Sequence, residues 1–193
     1  MQLDNVFENE VFSNKDASTN ALPKGEYSNC TFNSCDFSNI DFSHMVFTEC
    51  KFEHCNLSNT NLHNTGLKDV AFSHCKLVGL IFNNCNPFLL SMQFHDCQLD
   101  LSSFYQLKLK ATIFKNCSLR ESDFAEADLT NATLDNCDFS GAIFEQTILE
   151  KADFRNSFNY SIDPENNRIK KAIFDMPEAL HLLDKYNIIV KNN

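Results

Sequence analysis

The chain has no tryptophan, and only four glycines and four prolines among its 193 residues. So few backbone breakers, set beside nineteen phenylalanines, argue against disorder and against a turn-rich sandwich, and for a core of packed rings. Nowhere do consecutive apolar residues run long enough to span a bilayer. The opening stretch MQLDNVFENEVFSNKD lacks the basic region and apolar run of a secretory signal. These absences lead us to expect a cytoplasmic protein that makes no membrane contact.

Basic residues are also scarce. Sixteen Lys and Arg against twenty-six Asp and Glu leave a net charge of −10. That balance opposes direct nucleic-acid binding, which needs cations on phosphate, but it would attract a protein built to hold DNA. Catalytic signatures are missing too: His44, His54, His63, His74, His95 and His181 join no recognisable nucleophile motif, and no glycine-rich loop could cradle a phosphate. The nine cysteines show none of the paired CxxC spacings of a zinc site, and their odd number favours free thiols over a disulfide framework. No enzyme activity, cofactor or metal is expected.

What the chain does have is a period of five. From Cys117 to Phe154 a bulky apolar residue returns at Leu119, Phe124, Leu129, Leu134, Phe139, Phe144, Leu149 and Phe154, and a small residue stands two positions before each. Neither a helix nor a strand repeats at five, so the pattern belongs to a solenoid. Positions i−2 and i of an extended segment point to the same side, so each unit offers one large and one small inward group. The same stretch carries nine acidic and two basic residues, seven of the ten net negative charges.

Eleven units run in one frame from Phe32 to Phe82 and thirteen in a second from Phe94 to Phe154. Between the frames the spacing is twelve, predicting either a loop or a bend at residues 83–93. The run Pro87, Phe88, Leu89, Leu90 falls here; it suits core filling first and a partner contact second. Residues 1–27 read as an irregular first coil or N-terminal cap, 28–155 as the repeat body, and 156–193 as a C-terminal cap. Asp175 with Glu178 three residues on reads as a capping box opening a helix over about 176–186. Met176, Leu180, Leu183 and Tyr186 lie on its apolar face, with Ile188 and Ile189 in an extended tail. Such a surface predicts a homodimer.

The cysteines test the geometry. All nine take the small inward position, and several recur at intervals of twenty, as in Cys35, Cys55 and Cys75 or Cys97, Cys117 and Cys137. Five residues per side of a square and twenty per turn account for this, stacking the thiols in columns about 4.8 Å apart. They read as buried small hydrophobes.

Units such as Ala127, Asp128, Leu129, Thr130, Asn131 followed by Ala132, Thr133, Leu134, Asp135, Asn136 resemble the A(D/N)LXX signature of the pentapeptide-repeat family, and the likeness runs from Cys30 to Phe154. It implies an all-β fold, a right-handed quadrilateral β-helix with a short C-terminal capping and dimerisation helix. The end of the chain, ALHLLDKYNIIV, is similar to the cap of the subgroup of quinolone-resistance and microcin B immunity proteins. That similarity implies a non-enzymatic DNA mimic binding DNA gyrase or topoisomerase IV, with Asp123, Glu126, Asp128, Asp138 and Glu145 as the partner-binding acidic surface. An interaction scaffold for an unrelated partner is the alternative. In the twenty-residue columns Asp123 lies under Ile143 and Asp128 under Ile148, so the acids are expected to spread over several faces.

Overall fold

The computed structural model describes residues 5–17, 19 and 21–191. It is a right-handed parallel β-solenoid with four sides per coil. Among the described residues ten short strands pair in parallel: β1 (Val6–Glu8), β2 (Val11–Ser13), β3 (Glu26–Ser28), β4 (Thr31–Asn33), β5 (Val46–Thr48), β6 (Lys51–Glu53), β7 (Gly66–Ser73), β8 (Leu90–His95), β9 (Ile113–Lys115) and β10 (Thr133–Asp135). Phe12 sits on Phe32, Phe32 on Phe52 and Phe52 on Phe72, each step twenty residues. Elsewhere single parallel bridges continue the ladder, as between Lys108 and Asp128.

Inward rings stack along the axis. Centroids are 4.6 Å apart for Phe32 and Phe52, 4.9 Å for Phe94 and Phe114, and 4.8 Å for Phe104 and Phe124, with planes 12°, 14° and 6° apart. At most Cys and Thr positions, and at Ser102, the small inward residue donates to the carbonyl of a bulky inward residue one coil back. Cys55 Sγ donates to the Phe32 carbonyl at 3.3 Å, Thr60 Oγ1 to Phe37 at 2.8 Å and Ser102 Oγ to Leu77 at 2.9 Å. Cys, Ser and Thr interchange there because each is small and carries one donor.

At most units a left-handed residue, two positions after the bulky inward one, makes the corner. Asn29, Ser34, Asn39 and His44 have φ of 51°, 52°, 59° and 63°, and the series continues along the chain. Asn and His tolerate this region better than most side chains, and glycine takes it only at Gly79 and Gly141.

Residues 6–16, expected as an irregular first coil, pair in regular register: Phe7 stacks on Tyr27 at 4.6 Å and Phe12 on Phe32 at 5.0 Å. Ring stacking holds the register although Asn5, Glu10 and Lys15 stand where later coils have small groups. Residues 1–4, 18 and 20 of that segment lie outside the described ones.

The frame change is a bulge. Pro87–Leu89 form one 3-10 turn projecting from the coil, and the register against β7 goes from Leu67 opposite Leu90 to Val70 opposite Met92, so three inserted residues and one omitted residue net two. Stacking resumes at once, with Phe72 and Phe94 5.4 Å apart. Core filling fails for Phe88, which is 93% exposed. Leu89 covers Gly66, and Leu90 packs against the core.

The terminal helix also departs from expectation. It is a 3-10 helix, Glu178–Tyr186, preceded by Pro177 with no side-chain cap. The predicted capping box does not form, because both its carboxylates turn back to the solenoid. Asp175 Oδ2 accepts from the Asn156 amide at 2.7 Å and Glu178 Oε2 from the Asn159 amide at 3.4 Å. These donors belong to the last coil, where the next coil would have supplied carbonyls, and a charged acceptor makes a strong replacement. Replacing Phe114, fully buried between Phe94, Phe104 and Phe124, with alanine should cost about 3–5 kcal/mol. Urea unfolding checks this, and a cost below about 1 kcal/mol would contradict the continuous stack.

Candidate functional surface

The five acidic residues predicted as a partner surface divide into two kinds. An Asp directly before an inward ring builds the turn: Asp123 Oδ1 accepts from the Ala125 amide at 2.9 Å, Asp128 from Thr130 at 3.1 Å and Asp138 from Ser140 at 3.1 Å. Asp36, Asp41 and Asp153 do the same. This is an Asx turn, in which a short carboxylate stands in for a backbone acceptor.

Asp128 and Asp138 are further tied down. Asp128 pairs with Lys110 at 3.2 Å and Asp138 with Arg120 at 2.7 Å, their side chains only 18% and 13% exposed. Asp138 also accepts from Ser140 Oγ at 2.6 Å and Asn159 Nδ2 at 2.9 Å. Burial alone would raise its pKa, but the hydrogen bonds from Ser140, Asn159 and Arg120 outweigh it and hold the carboxyl well below the usual range. Asp128 is lowered in the same way, burial being opposed by Thr130 and Lys110.

Asp123 closes the same turn but, like Glu126 and Glu145, carries no such tie. All three belong to the side of the square whose inward column is Phe82, Phe104, Phe124 and Phe144, and Glu121 stands at its edge. Among the described residues none of these four carboxylates forms an ion pair with Lys, Arg or His. The outward positions of that side from Ile81 to Gln146 contain no Lys or Arg; they are Ile81, Asn83, Ser103, Tyr105, Asp123, Ala125, Ile143 and Glu145, between corners at Leu101, Glu121 and Gly141 and at Gln106, Glu126 and Gln146. Glu121 was not among the predicted site residues; like Glu126 it occupies a left-handed corner, at φ 54°. Tyr105 Oη donates to Glu126 Oε1 at 3.0 Å and Gln106 Nε2 to Glu126 Oε2 at 2.8 Å, fixing that carboxylate at the edge.

The bulge lies along the same edge. Pro87, Phe88, Leu90, Gln106, Leu107 and Lys108 line a groove of about 350 Å³, so Gln106 touches both the groove and Glu126. At the far end the helix face is open. Met176, Leu183, Tyr186, Ile188 and Ile189 are exposed, Ile189 at 86%, while Leu180 is half-buried. Pro177, Leu180, Leu183, Ile188 and Val190 line a groove of about 370 Å³ between helix and tail.

Among the described residues no cluster of His, Cys, Asp or Glu has the geometry to hold a metal ion, and no helix is long and apolar enough to cross a membrane. All nine thiols are buried and free, and burial pushes Cys50 and Cys85 up to about 12.

The sequence profile of the pentapeptide repeat region matches residues 25–87, 45–117 and 88–158. The chain belongs to the pentapeptide-repeat family. Among solved relatives of this fold, a trypsin-treated variant of QnrB1, a plasmid-mediated fluoroquinolone resistance protein, is 18% identical over 97% of this chain and 100% of that chain, with a TM-score of 0.65. HetL of the cyanobacterium Nostoc, a pentapeptide-repeat protein involved in heterocyst differentiation regulation, is 16% identical over 89% of this chain and 87% of its own, with a TM-score of 0.43. At such identities the likeness is one of fold. No curated protein matches the sequence.

The two kinds of acid differ in what they stabilise. A carboxyl whose folded pKa is depressed contributes stability above its unfolded value near 4 and loses it as pH falls through the folded value. Asp138→Asn should therefore cost about 1–3 kcal/mol at pH 7 and flatten the stability loss below pH 4. Glu126→Gln and Glu145→Gln should stay within about 0.5 kcal/mol. Thermal unfolding at pH 7 and pH 3 checks both, and a neutral Asp138→Asn would return that residue to the free acids.

Proposed function

We propose that the chain is a non-enzymatic DNA mimic that binds DNA gyrase or topoisomerase IV, modulating the enzyme or protecting it from quinolones or a topoisomerase-poisoning toxin. The observation that carries this reading is the single basic-free side, where Glu121, Asp123, Glu126 and Glu145 stand without ion-pair partners on a rigid rod. Glu121, Asp123 and Glu126 share one coil and Glu145 stands on the next, about 4.8 Å along the axis, a local cluster of charge to which a basic DNA-holding surface responds at long range. The fold shared with QnrB1 is in keeping with it. Asp128 and Asp138, already paired with Lys110 and Arg120, contribute less to such a field than these four.

The same proposal includes a homodimer. The apolar helix and tail at Met176, Leu180, Leu183, Tyr186, Ile188 and Ile189 need a cover, and a second copy placed two-fold against them would extend the rod. Because the acidic side lies in the C-terminal half, the two patches would then face partner surfaces near the dimer axis.

An interaction scaffold for another protein is the second reading, favoured by Phe88 on the bulge. It predicts a complex insensitive to salt, whereas mimicry of phosphate weakens as ions screen exposed charge.

Glu121→Gln, Asp123→Asn, Glu126→Gln and Glu145→Gln combined keep the Asx turn and remove four charges. With purified gyrase in a supercoiling assay, with and without a fluoroquinolone, the native protein should inhibit or protect, and the fourfold variant should need at least about tenfold more protein for the same effect. No effect of the native protein on either topoisomerase would sink the mimicry reading. Leu183→Glu should convert the dimer to a monomer in light scattering without loss of β-sheet signal; a native monomer would overturn the dimer.

A further inference from the structure

The bulge and the acidic side meet at one corner, and we infer that together they recognise a protein segment in which an apolar side chain is followed by basic residues. The inference rests on the acidic side being a binding surface for a basic partner, and it adds what nucleic-acid mimicry alone does not supply, an apolar anchor. Phe88 is almost fully exposed, so it fills no space in its own chain; with Pro87, Leu90, Leu107, Gln106 and Lys108 it lines the groove. A space of about 350 Å³ takes one large apolar side chain with its flanking backbone.

Charge gives the segment a direction. On one rim Gln106 leads to Glu126, and beyond it lie Asp123 and Glu145 with no Lys or Arg between them. On the other rim stand Lys108 and, one ion pair further, Lys110 with Asp128. A basic residue is therefore attracted on the Glu126 side and repelled on the Lys108 side. Gln106 and Tyr105, bonded to the two oxygens of Glu126, hold that carboxylate at the corner rather than leaving it to wave in solvent. Ala125 stands between Asp123 and Glu126 and beside Glu145 one coil on, so a small side chain separates these acids there, while Ile143 lies over Asp123.

Two labelled peptides, Ser-Ser-Phe-Lys-Arg-Lys and Ser-Ser-Ser-Lys-Arg-Lys, test this by fluorescence anisotropy with the full chain at low salt. The Phe peptide should bind at least about tenfold tighter, about one decade in Kd, and Phe88→Ser should erase that difference while leaving the weaker, salt-sensitive binding of the Ser peptide. Phe88→Ser changes only an exposed side chain, and circular dichroism confirms that the variant is folded. Equal binding of the two peptides would overturn the anchor and leave the acidic surface standing. Failure of both to bind would overturn both. A preference that survives Phe88→Ser would place the apolar contact elsewhere and overturn the proposal. Loss of self-association in Phe88→Ser without any change in peptide binding would assign the groove to a second copy of the chain, again overturning it.

Discussion

A ring in one coil must lie over the ring in the coil below. The backbone ladder sets the separation of coils at about 4.8 Å, which is also a comfortable distance for offset-stacked aromatic planes, and the observed centroids from 4.6 to 5.4 Å show the two spacings agreeing along a whole side. Everything else is fitted to this coincidence. The small inward residue must leave room for the bulky one, so the interior alternates Phe or Leu with Cys, Thr, Ser or Ala, and at Cys55, Thr60 and Ser102 a side-chain donor satisfies a carbonyl of the preceding coil as well. The corner must turn within one residue, so the backbone accepts a left-handed conformation at nearly every unit despite its cost of roughly 1 kcal/mol for most side chains. An insertion survives only by leaving the stack, and Pro87–Leu89 does so.

The same geometry explains why acidity is a poor guide to function in this chain. A position before each ring calls for a short acceptor that can close an Asx turn, and Asp meets the need as well as Asn does: Asn56 and Asn61 accept the same bond from Ser58 and His63. Much of the negative charge is thus a by-product of turn construction, tied back by Lys110, Arg120 and Arg155. The side that carries Glu121, Asp123, Glu126 and Glu145 stands out because, among the described residues, no such tie and no Lys or Arg is found there between Ile81 and Gln146.

Both ends of a solenoid expose unpaired backbone groups, and the C-terminal end solves the problem with side chains. Asp175 and Glu178 supply the carbonyl-like acceptors of a coil that is not there, while Lys185 bridges Asp163 and Glu165 at 2.7 and 2.6 Å to moor the helix. Leu182 reaches the core, but the remaining apolar face is left in the open. The helix is therefore fastened mainly by polar contacts, and much of its apolar surface stays exposed.

Periodicity alone carried the architecture into the sequence, because one side chain in five must be large and buried and no other fold imposes that rule; the twenty-residue spacing of Cys35, Cys55 and Cys75 even reported the number of sides. Family and fold were legible for the same reason. The corners were not, since Asn, His, Glu, Leu and Lys all occupy them and only the backbone angle unites the set. Asp175 and Glu178 matched a helix cap in spacing, yet the amides of Asn156 and Asn159 were unsatisfied and nearer in space, which no local pattern encodes. Likewise the sequence determined how many carboxylates the rod carries, whereas which of them are free was decided by contacts eighteen residues apart, between Lys110 and Asp128 or Arg120 and Asp138. Those partners become neighbours only when the coils stack, because a twenty-residue turn brings distant side chains within reach of a single ion pair.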